Sequence, residues 1–356
     1  MFCAIPTRSH HPAPPIHQNV TQPVQANRRL RRLRIGKQNA NLARMRDLKV
    51  YYSDTMTIPL PEGHRFPMRK YRMLRERLIE TQTLSEHEIY PAPFATREQV
   101  CLAHDEAYVD SIINGTIETQ ALKRIGFPWT PGLVQRSLAS VGGCVAAAHA
   151  ALASGIAGNL SGGTHHAHRD AGEGYCVFND IAVAFLNLKR LGLIQRAAII
   201  DLDVHQGNGN SSILGGRDDV FIFSMHGERN YPFRKVPSSL DIGLADETGD
   251  DEFLERLSGA LPEVLEIRPD IVFYQAGVDP LKEDTLGKLS LTHAGLEARD
   301  RLVMNACKAR GIPVSISMGG GYAKPIELTV EAHVGTYRAL KEVYFPRALR
   351  PAELTY

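Results

Sequence analysis

An α/β domain built around a mostly parallel sheet is the fold class that the 356-residue chain predicts, on three observations. Beyond residue 155, short apolar runs alternate with helical patterns, the βαβ signature of parallel strands with helices on both faces. The runs are continuously apolar, as in strands buried on both sides. Each run ends in polar residues and glycines, where ligands sit in an open parallel sheet.

Residues 1–46 contain no acid and carry the cluster Arg28, Arg29, Arg31, Arg32 and Arg34. Such a stretch cannot bury a core and predicts disorder. A bland basic extension is the preferred reading. An organelle transit peptide, a nucleic-acid or anionic-lipid contact, or initiation at Met45 are the alternatives. The folded domain is expected over 47–346, with a short tail over 347–356.

The first strand is expected at 48–52, followed by a loop over 61–67. A helix then opens at Pro67 or Met68 with Tyr71, Leu74 and Leu78 at helical spacing. A second helix is expected around 108–113. The aromatic, prolyl loop 126–131 either lines a site or plugs the core. Small residues over 137–155, with Val141, Val145, Ala148 and Leu152, predict a helix packed closely on a sheet. Beyond it, strands are expected to end at Leu160, His205, His226, Asp279 and Tyr322, with helices over 180–191, 252–267 and 293–310.

Composition excludes several function classes. A formal charge of +2 implies no dedicated nucleic-acid surface. No uninterrupted apolar run reaches the roughly 18 residues of a membrane span. Five scattered cysteines (Cys3, Cys101, Cys144, Cys176, Cys307) point to a reducing, cytoplasmic compartment rather than a disulfide framework.

The sharpest boundary is Ala197-Ala198-Ile199-Ile200-Asp201-Leu202-Asp203-Val204-His205. On one strand, Asp201, Asp203 and His205 share a face. Two carboxylates and an imidazole in such a row repel and desolvate one another unless a cation lies between them. A solvated strand end is the bland alternative. With Asp279 from a neighbouring strand, Asp203 and His205 form three ligands with room for a water, the pattern of a catalytic zinc site. Iron(II) or cobalt(II) would also suit this set. Such an ion lowers the pKa of its water toward roughly 7 and polarises a carbonyl, which describes a hydrolase.

His165 and His166, in Ser161-Gly162-Gly163-Thr164-His165-His166, are either solvated turn residues or a general base and acid beside that water. Asp201 and Asn208 are candidate acceptors to set their tautomers. Gly319-Gly320-Gly321 permits close backbone approach and presents Tyr322, whose phenol would stabilise an oxyanion. Otherwise Tyr322 is a packed ring after a turn.

Together these motifs resemble the histone deacetylase family of the arginase-deacetylase superfold, across nearly all of 49–344. The resemblance implies a single three-layer αβα domain with a central, mostly parallel eight-stranded sheet. It implies zinc-dependent hydrolysis of an N-acyl-lysine or similar amide. By resemblance, Asp203, His205 and Asp279 are the zinc ligands, His166 the base and acid, His165 its electrostatic partner paired with Asp201, and Tyr322 the carbonyl-polarising tyrosine. Gly174 and Tyr175 line the acyl-lysine tunnel, and Gly320 belongs to the same substrate site. Asp201, Asp203, His205, Ser224 and Met225 fall where the family holds a structural potassium, mainly on backbone carbonyls. Arg65 falls where the family has an arginine behind the active site.

Gln206 and Asn208 depart from the nuclear branch of the family, which has a histidine and an aspartate there. An amide supports an imidazolium less than a carboxylate does. With the stretch Gly63-His64-Arg65-Phe66-Pro67-Met68, these changes look more like class IV and its bacterial relatives, where long fatty-acyl groups are possible substrates. The partner implied is an acyl-lysine protein or peptide, or a small acylated amine such as an acetylpolyamine. A di-manganese ureohydrolase lacks its second set of aspartates here, and a non-catalytic acyl-lysine binder would not need the full set. Nucleic acid enters only through the Arg28 to Arg34 cluster.

Overall fold

The computed structural model describes residues 47–346; the basic extension and the C-terminal tail lie outside the described residues. The chain opens with β1 (Lys49–Tyr52), α1 (Lys70–Glu80), β2 (Ile89–Pro91), α2 (Arg97–Val100), α3 (Glu106–Asn114), α4 (Thr119–Ile125) and α5 (Pro131–Ser154). Then come β3 (Ile156–Asn159), α6 (Asp180–Arg190), β4 (Ala197–Asp201), α7 (Asn208–Leu214), β5 (Val220–Gly227) and β6 (Leu240–Leu244). Finally α8 (Asp250–Val264), β7 (Ile271–Gln275), α9 (His293–Arg310), β8 (Val314–Ser317) and α10 (Ile326–Tyr344) complete the order.

All eight strands join one sheet in the order β2-β1-β3-β8-β7-β4-β5-β6, and every neighbouring pair is parallel. This is the expected architecture. Strands β3, β4, β7 and β8 are buried at every position; β4 and β7 are apolar up to their last residue, as strands covered on both faces tend to be, whereas β8 carries the buried Ser315 and Ser317. The edge strands β2 and β6 are partly exposed and carry no such run. Helices α5 and α6 pack together, with α5 against β1, β3 and β8, while α10 packs on α1 and α9 and α9 on α8.

Helix α5 starts earlier than expected because Thr130 caps it, its hydroxyl accepting from the Leu133 N–H, with Pro131 in its first turn. By length and mean composition α5 would pass for a membrane span, although it holds no uninterrupted apolar run of that length. Its interspersed Ser and Gly break any continuous run without lowering its mean hydropathy enough. It is a core helix, with Leu133, Val141, Cys144 and Ala148 buried.

Candidate active site

The expected row of Asp201, Asp203 and His205 on one strand is not what forms. The ladder of β4 stops at Asp201, and beyond it two backbone bonds remain to the neighbouring strands, from the Leu202 N–H to the Gln275 carbonyl (3.1 Å) and from the Gly227 N–H to the Val204 carbonyl (3.0 Å). Carboxylates then take the backbone donors. The Val204 N–H donates to Asp279 Oδ1 (2.8 Å) and the His205 N–H to Asp203 Oδ1 (3.0 Å). Side-chain acceptors outcompete strand pairing and curl 202–206 into a loop.

That loop still gathers the three predicted ligands. Asp203, His205 and Asp279 offer ligand atoms all within 4.8 Å of one another. His205 Nδ1 lies 3.0 Å from Asp203 Oδ1 and 3.1 Å from Asp279 Oδ2. Burial favours a neutral His205, but both carboxylates pull harder and raise it to about 10. Burial, then Asp203, lift Asp279 to about 7. Burial opposes ionisation of Asp203 as well, yet His165 and His205 hold it well below the usual carboxylate range. Two buried carboxylates thus converge on one imidazole nitrogen, a charge a dication would balance, so the donor set fits a divalent metal.

Gly320 supports this centre. Its N–H donates to Asp203 Oδ2 at 2.7 Å, and a Cβ there would lie 1.9 Å from Asp279 Oδ2. It lines the cavity, and its close contacts are with the carboxylates of Asp203 and Asp279.

His165 and His166 are buried side by side, ring centroids 4.1 Å apart. His165 Nδ1 meets Asp201 Oδ2 at 2.8 Å and His166 Nδ1 meets Asn208 Oδ1 at 2.7 Å. Burial works against a charge on His165, but Asp201 and Asp203 raise it to about 9. Burial, with the charges of His165 and His205, keeps His166 well below its ordinary value. The surroundings thus favour the charged form of His165 and the neutral form of His166.

Sequence reasoning missed the support behind His166. Asn208 Nδ2 donates to Glu173 Oε1 at 2.7 Å, and His168 Nε2 lies 3.3 Å from the same oxygen. Burial alone would raise Glu173, but hydrogen bonds from His168, Asn208 and Tyr231 take it down to about 2. Tyr231 stands edge-on to the His166 ring, centroids 5.0 Å apart. The acid beside the glycine and aromatic in Gly172-Glu173-Gly174-Tyr175, and the aromatic run Tyr231-Pro232-Phe233, were the available signals.

These groups open on a cavity of about 500 Å³ whose lining includes Gly174, Tyr175, Phe127, Tyr231 and Tyr322. Gly174 has φ +57°, and a Cβ there would press within 2.8 Å of the His166 ring. Tyr175, at φ +66°, carries real backbone strain. The loop over 126–131 both lines and plugs: Phe127 packs against Phe66 and Tyr175, while Trp129 turns away and donates to the Ile112 carbonyl at 2.8 Å.

Tyr322 is anchored through its backbone: its N–H donates to Asp284 Oδ2 (2.6 Å) and its carbonyl accepts from Thr285 Oγ1 (2.8 Å). Burial raises its phenol well above the ordinary value, so it remains a donor. The cation behind it is not Arg65, which is exposed. It is Lys70, buried, with Nζ 5.0 Å from the Tyr322 ring centroid and donating to the Gly321 carbonyl at 3.2 Å. Helix α1 begins at Lys70 rather than Pro67, so its inward face starts there and Arg65 stays in the preceding turn.

Beneath the metal loops, the fully buried Arg299 donates to the Leu202 and Gly277 carbonyls (3.4 and 2.5 Å) and pairs with Asp300 at 2.8 Å. Replacing Arg299 with Leu strands a buried carboxylate. It is expected to cost about 3–5 kcal/mol in urea unfolding; a loss under about 1 kcal/mol would refute that role.

His104 accepts from the Asn179 N–H at 2.8 Å, and the Asn179 side chain donates to the Ala167 carbonyl, next to His165 and His166 in the chain. Burial, reinforced by the Arg169 charge, pulls His104 down to about 4. Its unfolded value is about 6.5, so its stabilising contribution is complete above that pH and is lost as pH falls toward 4. The loss is on the order of 3 kcal/mol. The stability of His104→Gln, followed by urea unfolding between pH 7 and 4, should fall less steeply than that of the parent.

For the expected potassium, Ser224 is the register partner of Asp201, and Met225 follows it, buried. The Asp201 carboxylate is spent on His165 and the Ser224 hydroxyl on His226 (3.0 Å), which leaves backbone carbonyls to any such ion.

A family model described as the histone deacetylase domain matches residues 64–336. The chain is 45% identical over 296 residues to an uncharacterized protein of Picosynechococcus, covering 83% of this chain and 98% of that one. It is 32% identical to Histone deacetylase 2 of Arabidopsis thaliana, over 78% of this chain and 75% of that one. A probable deacetylase of Methanothermobacter thermautotrophicus is 27% identical, over 85% and 93% respectively. A crystal structure of an HDAC homolog complexed with SAHA matches with a TM-score of 0.71 over 84% of each chain, at 23% identity, a likeness of fold. With the family model spanning well over half of its length, this chain belongs to the histone deacetylase family and is a deacetylase, a hydrolase acting on amides.

Proposed function

We propose that this deacetylase removes an acyl group from N-acyl-lysine with zinc held by Asp203, His205 and Asp279. The observation that carries the reading is the convergence of that triad, a neutral His166 and the Tyr322 phenol on one cavity. A dication at the triad supplies a Lewis acid and a water of lowered pKa. His166 takes the proton of that water on Nε2 and returns it to the leaving amine. His165, kept cationic by Asp201 and Asp203, balances charge beside it. Tyr322 donates to the amide oxygen as negative charge builds there, and the strained Tyr175 with Phe127 and Tyr231 excludes water.

The cavity continues among Ile58, Tyr71 and Leu133 to Arg136. Arg136 is buried, stacked 4.1 Å from the Tyr71 ring centroid, and has no carboxylate partner among the described residues. Hydrolysis generates a carboxylate, and this guanidinium suits that product. The apolar walls leave room for acyl chains longer than acetyl, as the class IV likeness implies. The reading is tested on the purified, zinc-loaded chain with acetyl-lysine, long-acyl-lysine and acetylpolyamine substrates. Turnover of an acyl-lysine peptide that a chelator abolishes and zinc restores is the expected result. Turnover of acetylpolyamine alone would overturn the lysine assignment.

A further inference from the structure

The charges lining the cavity are lopsided. Its acids, among the described residues, are Asp203 and Asp279, both at its floor and both committed to the metal triad. Its remaining ionic residues, apart from the histidines, are basic: the inner Arg136 and the exposed Lys123, Arg124, Arg229 and Lys288.

The four exposed cations come from two walls. Lys123 and Arg124 close the last turn of α4, and that end is stitched to the tunnel. The Arg124 carbonyl accepts from the Gly174 N–H (3.2 Å) and the Ile125 carbonyl from the Tyr175 N–H (2.8 Å). Arg229 and Lys288 come from the wall beside Tyr231, where Lys288 Nζ donates to the Arg229 carbonyl at 3.2 Å. Complementing the negative end of α4 would explain Lys123 and Arg124, but no such helix end accounts for Arg229 and Lys288. Of the four, Arg229 has an acid partner, Asp246 at 3.2 Å. Lys123, Arg124 and Lys288 have none among the described residues.

Asp246 pairs with Arg229, and two exposed acids border this wall, Glu228 next to Arg229 in the chain and Glu247, whose N–H donates to the Lys288 carbonyl at 2.7 Å; the acids beside the tunnel itself are turned inward. Glu173 is tied to Asn208 and His168, and Asp284 accepts from the Tyr322, Leu286 and Gly287 N–H groups. The lining of the mouth therefore presents Lys123, Arg124 and Lys288, none of them ion-paired among the described residues, to a chain whose acyl-lysine enters the tunnel.

We infer that the substrates of this enzyme carry acidic residues flanking the acyl-lysine, and that Lys123, Arg124 and Lys288 select them. This rests on the deacylase reading and names its substrate class. A basic tail or a polyamine, with several cationic groups near one neutral amide, meets like charge at this rim.

The test uses the zinc-loaded full chain and two peptides of one length with the same central acyl-lysine, flanked by aspartates in one and by arginines in the other. At low salt the acidic peptide is expected to have a kcat/KM roughly tenfold or more above the basic one. The ratio should shrink toward one near 1 M salt, where the screening length falls to about 3 Å. In the triple variant Lys123→Glu, Arg124→Glu, Lys288→Glu the ratio should fall to one or invert. That separates the rim from the Arg28 to Arg34 cluster, which the variant leaves intact. Equal turnover of the two peptides, preference for the basic one, or an unchanged ratio in the variant would overturn the inference. Should neither peptide nor a small neutral acyl-lysine amide be turned over, the deacylase reading fails instead. Fluorescence anisotropy with the same labelled peptides then decides the rim by itself: tighter binding of the acidic peptide supports it and equal affinity refutes it.

Discussion

Substituting alanine for His166 is expected to lower kcat on an acyl-lysine peptide by about 10²- to 10⁴-fold while the domain stays folded. The reasoning runs through a chain of hydrogen bonds. Glu173 is an ionised acceptor, so the donor end of the Asn208 amide points to it and the carbonyl end faces His166. His166 must then carry its proton on Nδ1, leaving the Nε2 lone pair free to take one from water. Burial first, then the charge on His165, favours the neutral imidazole, so the base is ready without deprotonation. Circular dichroism should be unchanged and KM little affected. A variant that keeps more than about a tenth of parental kcat would remove His166 from the chemistry.

Replacing Asp279 with asparagine is expected to have the largest effect of all, because it acts on the metal and on every substrate together. Asparagine keeps the shape but removes one of the two charges that balance a dication, and it weakens the acceptor that Oδ1 offers to the Val204 N–H. Metal affinity should fall by more than roughly a hundredfold, the effect of losing even an outer partner of a ligand. Elemental analysis after gel filtration should show a metal content far below that of the parent. Added metal should raise the melting temperature of the parent and not that of the variant, since a ligand stabilises only the form that binds it. Full metal content with full activity would show that the triad is not the metal site.

Much of this molecule is legible in one dimension. The buried strands β4 and β7 announce themselves as apolar runs because a parallel sheet covered on both faces favours them, while β3 and β8 carry the buried Asn159, Ser315 and Ser317 within the same sheet. The short edge strands β2 and β6 give no such signal, since solvent meets one of their faces. Helix α10 was not anticipated, because buried Thr329, His333, Gly335 and Thr336 interrupt its apolar period. The gathering of polar residues at strand ends pointed to Asp203, His205, Asp279, His165, His166 and Tyr322, and the chain brings all six to one cavity.

By itself, the order of residues determined the sheet, the layers over it and the chemical types collected at its carboxyl edge, because these follow from local periodicity and from where each strand must stop. What only the tertiary structure decided depends on partners far apart in the chain. Lys70 reaches Gly321 across 251 positions and takes the place expected of Arg65. Glu173 steers His166 through Asn208. Asp279 draws the backbone after Asp201 out of its ladder, and the two cationic walls meet at one mouth. Charge state, tautomer and rim potential are set by distance and burial in three dimensions, and spacing along the chain carries neither quantity.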